Sequence, residues 1–247
     1  YIGVMSDDNG GMFLKKDFNR YGVNTDFCAI KSGYRSFVSY IWLSDKEASR
    51  TCVFDKGNLP PLELSDDQKQ AIADAQILMV DGNEMAAAIE GAKVANENGT
   101  DVLYDAGGLY EGVENLLPLA DILIPSEEFA LGHTNTDNVT DAAKVLYEKY
   151  NPKVVVITQG KKGGIIYDGK EIIVYPIYPA VVVDSNGSGD VFHGAFAFAV
   201  TNNMDYKKAC VFSSAVSALK CTKVGAREGV PTYDETINFL KENYYEL

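Results

Sequence analysis

The sequence predicts an α/β fold built on a mainly parallel sheet covered by helices on both faces. Three observations carry this. From residue 65 onward, short strand-like runs alternate with helical segments. The runs are almost wholly apolar, as expected of strands buried on both faces. Four of them pass straight into polar or glycine-rich loops, at 81–83, 105–108, 125–128 and 158–160. In a parallel sheet those loops share one edge, where open α/β sheets take their ligands.

The elements follow in order. Tyr1, Ile2, Gly3, Val4 and Met5 read as the end of a buried strand, and residues 6–11 as a turn-rich loop. A short helix is predicted over 12–21. The β-branched and aromatic runs 37–43 and 50–55, joined by polar 44–49, read as a β-hairpin, and Gly57 to Pro61 break the chain after it. Ser65 caps a helix to about residue 75, with acids in its first turn. Residues 77–81 form a strand, and 84–96 a helix stopped at Asn98 and Gly99. Strands follow at 102–105 and 122–125, then a helix at 139–150 and a strand at 154–158. Asp168 and Gly169 turn a hairpin between 165–167 and 172–175. Residues 181–183 are expected as a strand end, and the chain after Asp190, apolar on all sides, as a buried helix.

Composition narrows the function. The 247 residues carry 22 Lys+Arg against 35 Asp+Glu, a net charge of −13, so nucleic acid and anionic membranes are poor partners. A hydrophobic content of 46% is ordinary for a globular chain. No apolar run approaches the roughly 18 residues of a transmembrane helix. Cys28, Cys52, Cys210 and Cys221 make no CxxC or zinc spacing, which fits free thiols in a reducing cytoplasm.

The chemistry concentrates at 184–200. Gly187, Ser188 and Gly189 run into the N-terminus of the predicted buried helix. Glycines there let an anion approach, free N–H groups point at it, and the helix end adds about half a positive charge. Asp190 stands beside that site. N–H groups that hold developing negative charge, next to a carboxylate that orients and deprotonates a hydroxyl, suit phosphoryl or acyl transfer onto an alcohol. A capping role alone explains Asp190 less well, because Asn186 and Ser188 already offer capping groups. Gly164 to Lys170 nearly spell a P-loop, but Glu171 stands where Ser or Thr must meet magnesium, and a hairpin occupies the segment. His193 reads as a hydrogen-bonded core residue and Arg35 as a solvated charge.

Gly187-Ser188-Gly189-Asp190 with Phe192, His193, Gly194, Ala195 and Phe196 closely resembles the signature of the ribokinase-like, or PfkB-type, carbohydrate kinases. Thr158-Gln159-Gly160-Lys161-Lys162-Gly163 resembles the family's Thr-x-Gly-x-x-Gly nucleotide loop, and 223–231 its C-terminal segment. The order and spacing also match, so the resemblance spans essentially the whole chain. It implies a single ribokinase-like domain over 1–247, a three-layer α/β/α sandwich. Residues 30–57 would form part of a small β lid over the sugar. It also implies transfer of the γ-phosphate of ATP to a sugar hydroxyl, with Mg2+.

By that resemblance Asp190 is the general base, and the N–H groups of Gly187, Ser188 and Gly189 form the anion hole. Thr158, Gly160, Gly163 and Ser126 line the nucleotide, and Ser214 stands where the family often has a nucleotide-contacting Asn. Asp184 and Asn186 match positions that bind a monovalent cation, such as K+, in some members. There are departures. The family often has Asn-x-x-Glu after the strand ending at Pro125, where the Glu orders magnesium through water. Here Phe129 takes the acid's place, and Glu127 and Glu128 are the stand-ins. Ser185 and Asn186 replace the commoner Thr-Thr. The family's opening strand, early substrate-binding Asp and Gly-Gly-x-x-x-Asn segment have no counterpart, and about sixty residues are expected before Tyr1. A nucleoside or sugar-phosphate kinase of the same fold, and a non-catalytic nucleotide- or sugar-binding fragment, stay open as alternatives. The aromatic hairpin raises the further expectation of a homodimer formed through the lid.

Overall fold

In the computed structural model, which describes residues 1–44, 49–243 and 245, the chain forms two units, Tyr1–Ala71 and Ile72–Leu247. The first unit opens with β1 (Gly3–Ser6) and α1 (Asn9–Arg20). The helix begins three residues before the predicted start because the Asp8 carboxylate caps it, accepting the Gly11 N–H at 2.9 Å. The same carboxylate takes the Ser36 hydroxyl and N–H, each at 2.7 Å, and ties a distant loop to the cap. These bonds hold the Asp8 carboxyl well below its usual range, at about 2.

A short strand absent from the sequence reading, β2 (Cys28–Lys31), pairs parallel with β1. The predicted hairpin is present as β3 (Val38–Ser44) and β4 (Ser49–Asp55), an antiparallel two-stranded sheet. Its connection at 45–48 lies outside the described residues. Arg35 is not merely solvated: its guanidinium meets Asp55 at 2.8 Å at the base of the hairpin. At α2 (Asp66–Ala73), Ser65 and Gln68 cap reciprocally, the Gln68 N–H on the Ser65 hydroxyl and the Ser65 N–H on the Gln68 side chain.

The second unit holds a six-stranded sheet. In chain order its elements are β5 (Ile77–Val80), α3 (Met85–Asn98), β6 (Asp101–Ala106), α4 (Val113–Leu116), β7 (Ile122–Pro125), α5 (Glu127–Thr134), α6 (Val139–Tyr150) and β8 (Val154–Thr158). There follow β9 (Gly164–Tyr167), β10 (Ile172–Tyr175), α7 (Ser188–Thr201), α8 (Tyr206–Lys220) and α9 (Tyr233–Glu242). The strand order is β10-β9-β8-β7-β6-β5, with β5 to β8 parallel and β9 and β10 antiparallel at one edge.

Because side chains alternate across a strand, the apolar runs feed two cores. Leu103, Ile122, Ile124, Val154 and Val156 pack with Phe192, Phe196 and Ala199 of α7 and with Cys210, Phe212 and Ala215 of α8. On the opposite face α3 lies against β5 and β6, and α6 against β8 and β9. The result is three layers, helix over sheet over helix.

Two expectations need correction. Residues 181–183 are not a strand: the three valines are exposed, and the Val183 N–H goes to the Cys221 carbonyl at 2.8 Å. A β-branched run has strand propensity, but propensity without a partner strand builds no ladder. Helix α7 is not buried all round either. Asp190, Gly194 and Phe198 recur at every fourth residue and form an exposed stripe.

Candidate active site

The parallel strands deliver their carboxyl ends to one edge of the sheet. There Ser126, just past β7, bridges to Thr158 at the end of β8. Two residues of the expected nucleotide loop are thus side by side. The Ser126 hydroxyl caps α5, accepting the Phe129 N–H at 3.1 Å. After Thr158 the chain makes a tight turn that the Gln159 N–H closes on the Gly163 carbonyl at 2.8 Å. Gly160 and Gly163 both have positive φ, 52° and 84°. A Cβ on Gly163 would stand 2.4 Å from the Tyr175 carbonyl, so the requirement for glycine there comes from the neighbouring strand β10.

Helix α7 reaches the same edge through His193. Its Nε2 faces the Ile124 carbonyl of β7 at 3.1 Å, and its Nδ1 faces the Gly189 carbonyl at 2.7 Å. The Asp105 carboxylate at the end of β6 lies 3.2 Å from Nδ1. Both ring nitrogens thus face carbonyl oxygens, which accept only. The Asp105 carboxyl completes the polar surroundings of the buried ring. Burial pushes the Asp105 carboxyl up, His193 opposes that, and Asp190 and Asp81 add to it. The pair is a buried long-range contact that the sequence does not announce. His193 was read as a core residue, and it is buried, but nothing local marked Asp105 as its partner.

The N-terminus of α7 is laid open by Gly187. This residue is the N-cap, in the left-handed region at φ 76°, and no side chain caps the helix. The capping expected from Asn186 and Ser188 therefore does not form. Among the described residues no acceptor is recorded for the amides of Gly187, Gly189 and Asp190, whereas the Ser188 N–H donates to Ser185 O at 3.2 Å. The open donors are thus Gly187, Gly189 and Asp190, not Ser188. Gly189 and Asp190 are exposed, as an incoming anion requires.

Behind this turn, Asp184 is buried and accepts the Asn186 N–H on one carboxylate oxygen and the Gly225 N–H on the other, each at 2.8 Å. A Cβ on Gly187 would meet the Ala226 Cβ at 2.9 Å, so 223–229 packs directly against the loop. Ser214 on α8 is buried and donates its hydroxyl to the Pro176 carbonyl at 2.7 Å. Glu127 is engaged by Gln159 Nε2 at 2.8 Å and by Lys162 Nζ at 3.3 Å, while Glu128 is exposed. No cluster of three His, Cys, Asp or Glu side chains with metal-binding geometry occurs among the described residues.

Comparison with known proteins adds an independent line. A family model described as pfkB family carbohydrate kinase matches residues 1–233. A ribokinase of Haemophilus influenzae is 25% identical over 248 residues, covering 98% of this chain and 81% of the relative. A bifunctional ribokinase/ribose-5-phosphate isomerase A of Fructilactobacillus sanfranciscensis is 26% identical over 252 residues. The match takes in 98% of this chain, but the chain spans only 46% of that relative's length. Among solved structures, Arabidopsis thaliana ribokinase complexed with ribose and ATP superposes with a TM-score of 0.87 at 25% identity, over 97% of this chain and 81% of that one.

Proposed function

The chain belongs to the pfkB family of carbohydrate kinases, and we propose that it transfers the γ-phosphate of ATP to a hydroxyl of a sugar, with Asp190 as the base. The observation that carries this is the open first turn of α7. Three amides without a protein acceptor surround an exposed carboxylate at the ligand-binding edge of the sheet.

In this reading the amides of Gly187, Gly189 and Asp190 hold the phosphoryl oxygens as charge develops on them. Asp190 orients the attacking hydroxyl and receives its proton. In a loose phosphoryl-transfer transition state the proton moves late, so orientation contributes early. Thr158, Ser126 and the turn at Gly160 and Gly163 line the nucleotide, with Ser214 beneath it. Magnesium enters with the nucleotide phosphates, as is usual for an ion that keeps several waters. Glu127 does not fit as its contact, being turned to Gln159 and Lys162, which leaves Glu128. Potassium has no part in this reading, because the Lys220 ammonium already sits on the Asp184 carbonyl and the carboxylate oxygens accept N–H groups. The exposed aromatic hairpin is the surface through which a second copy of the chain would associate.

Sugar-dependent ADP release from the intact protein tests the reading across pentoses, hexoses, nucleosides and sugar phosphates. Turnover with a free sugar supports it. Turnover confined to nucleosides or sugar phosphates would move the acceptor class, and nucleotide binding without turnover on any of them would contradict it.

A further inference from the structure

Lys220 is the last residue of α8, where a lysine normally reaches solvent and complements the helix dipole. Here it is fully buried, with its ammonium on the Asp184 carbonyl at 2.8 Å. A buried ammonium is costly unless oxygen atoms replace its lost water, so its position is a constraint on the fold.

The surroundings show what it organises. The Val183 and Asp184 N–H groups both donate to the Cys221 carbonyl, at 2.8 and 3.1 Å. The Asp184 carboxylate reaches forward to Asn186 and across to Gly225. A Cβ on Gly229 would lie 2.3 Å from the Lys220 carbonyl, so the returning loop is pressed onto the lysine's backbone. Segments 183–187 and 220–229 are laced together around one positive charge, directly behind the open turn of α7.

Asp184 and Asn186 are also the positions that match a monovalent-cation site in some family members. A potassium ion does not fit here. Each carboxylate oxygen of Asp184 carries an N–H donor, and an ammonium already sits on its carbonyl, where it repels a second cation.

We propose that Lys220 is a built-in replacement for that ion. Its tethered ammonium gathers the 183–187 and 220–229 segments, so that the turn at Gly187 to Asp190 is ordered without potassium. The consequence for catalysis rests on reading that turn as the anion hole; the structural claim does not.

The test is thermal unfolding of the intact protein in potassium, sodium or tetramethylammonium chloride at equal ionic strength, together with sugar-dependent ADP release in each salt. For the wild type we expect midpoints within about 1 °C of one another, and turnover that does not distinguish potassium from sodium. Lys220→Ala removes the charge and leaves room at the carbonyls. It should unfold earlier in sodium and recover by about 3 °C or more in potassium, because an ion that binds only the folded state stabilises it. Lys220→Met removes the charge but fills the space, and should be destabilised equally in all three salts.

Potassium-specific stabilisation of the wild type by about 3 °C or more overturns the proposal. So does a folded Lys220→Ala chain that ignores potassium. Should Lys220→Ala not fold in sodium, refolding in potassium supports the proposal, and the wild-type comparison decides the matter in any case. Loss of turnover in every salt would count against the kinase reading and leave the unfolding result standing.

Discussion

The sheet of the second unit and the hairpin of the first are written in the same apolar and β-branched residues, yet they use them in opposite ways. In the sheet, Val102, Leu103, Ile122, Leu123, Val154 and Val155 are fully buried between helices. In the hairpin, Tyr40 and Trp42 remain 61% and 59% exposed, with Val53 opposite Tyr40 on the same face and Phe54, stacked on Phe37, turned to the other. The lesson is that an apolar strand reports a need for cover and not the cover itself. A strand flanked by helices meets the need within the unit, whereas this two-stranded ribbon leaves large aromatic side chains exposed.

Truncating one large side chain in each region tests that contrast most strongly. Phe196→Ala should cost about 3–5 kcal/mol, since it empties a fully buried site between α7 and the sheet. Trp42→Ala on the hairpin should change stability by less than about 0.5 kcal/mol, and under the proposed association of two copies it should shift sedimentation toward a monomer. Equal losses from both, read by denaturant unfolding, would erase the distinction.

The next effect concerns the polar part of the buried region. His193→Leu removes the polar partner of the buried Asp105 carboxyl, and breaking such a buried pair costs up to about 3–5 kcal/mol. The sign with pH follows from the direction of the shift. The folded-state value of Asp105 is raised, so the cost of burying its charge is absent below the unfolded value and grows as pH rises through the folded one. The variant should therefore be least destabilised in acid. A deficit that is independent of pH would show that packing alone is lost.

Gly163→Val comes third. It forces a valine into φ 84° against the Tyr175 carbonyl, at about 1–3 kcal/mol for the backbone conformation alone. Its KM for ATP should rise more than its KM for sugar, and an unchanged KM for ATP would make the loop only a turn before β9. The smallest effect lies in the first unit. The depressed carboxyl of Asp8 contributes stability that is present above its ordinary value of 3.8 and is lost as pH falls through about 2. The protection of α1 against hydrogen exchange should decline over that window, and Asp8→Asn should remove the decline.

Much of this was legible from local signals. The strands of the parallel sheet declared themselves by continuous apolarity, and both hairpins by alternation and turn residues. Gly99, in the left-handed region, stops α3 where a C-terminal glycine was expected. Helix α9 was passed over although its signal was present, since Thr232 and Glu235 form a capping box. What stayed hidden was long-range. Asp105 and His193 meet across 88 positions of chain because β6 and α7 converge, and no local pattern encodes that. Lys220 reads as an ordinary helix-terminal lysine until the close approach of Gly229 to its backbone is known. Within the segment expected to form the anion hole, the turn of the Ser188 N–H back to Ser185 carries no local signal either.

In the proposed reaction the exposed carboxylate in the open turn of α7 serves the transfer step and not the binding of nucleotide. Steady-state kinetics of Asp190→Asn, beside direct measurement of ATP binding, separates the two roles. kcat should fall by about 100- to 10,000-fold while the Kd for ATP stays within about threefold. A kcat that falls by less than about threefold, in a variant that folds and binds ATP, would contradict it.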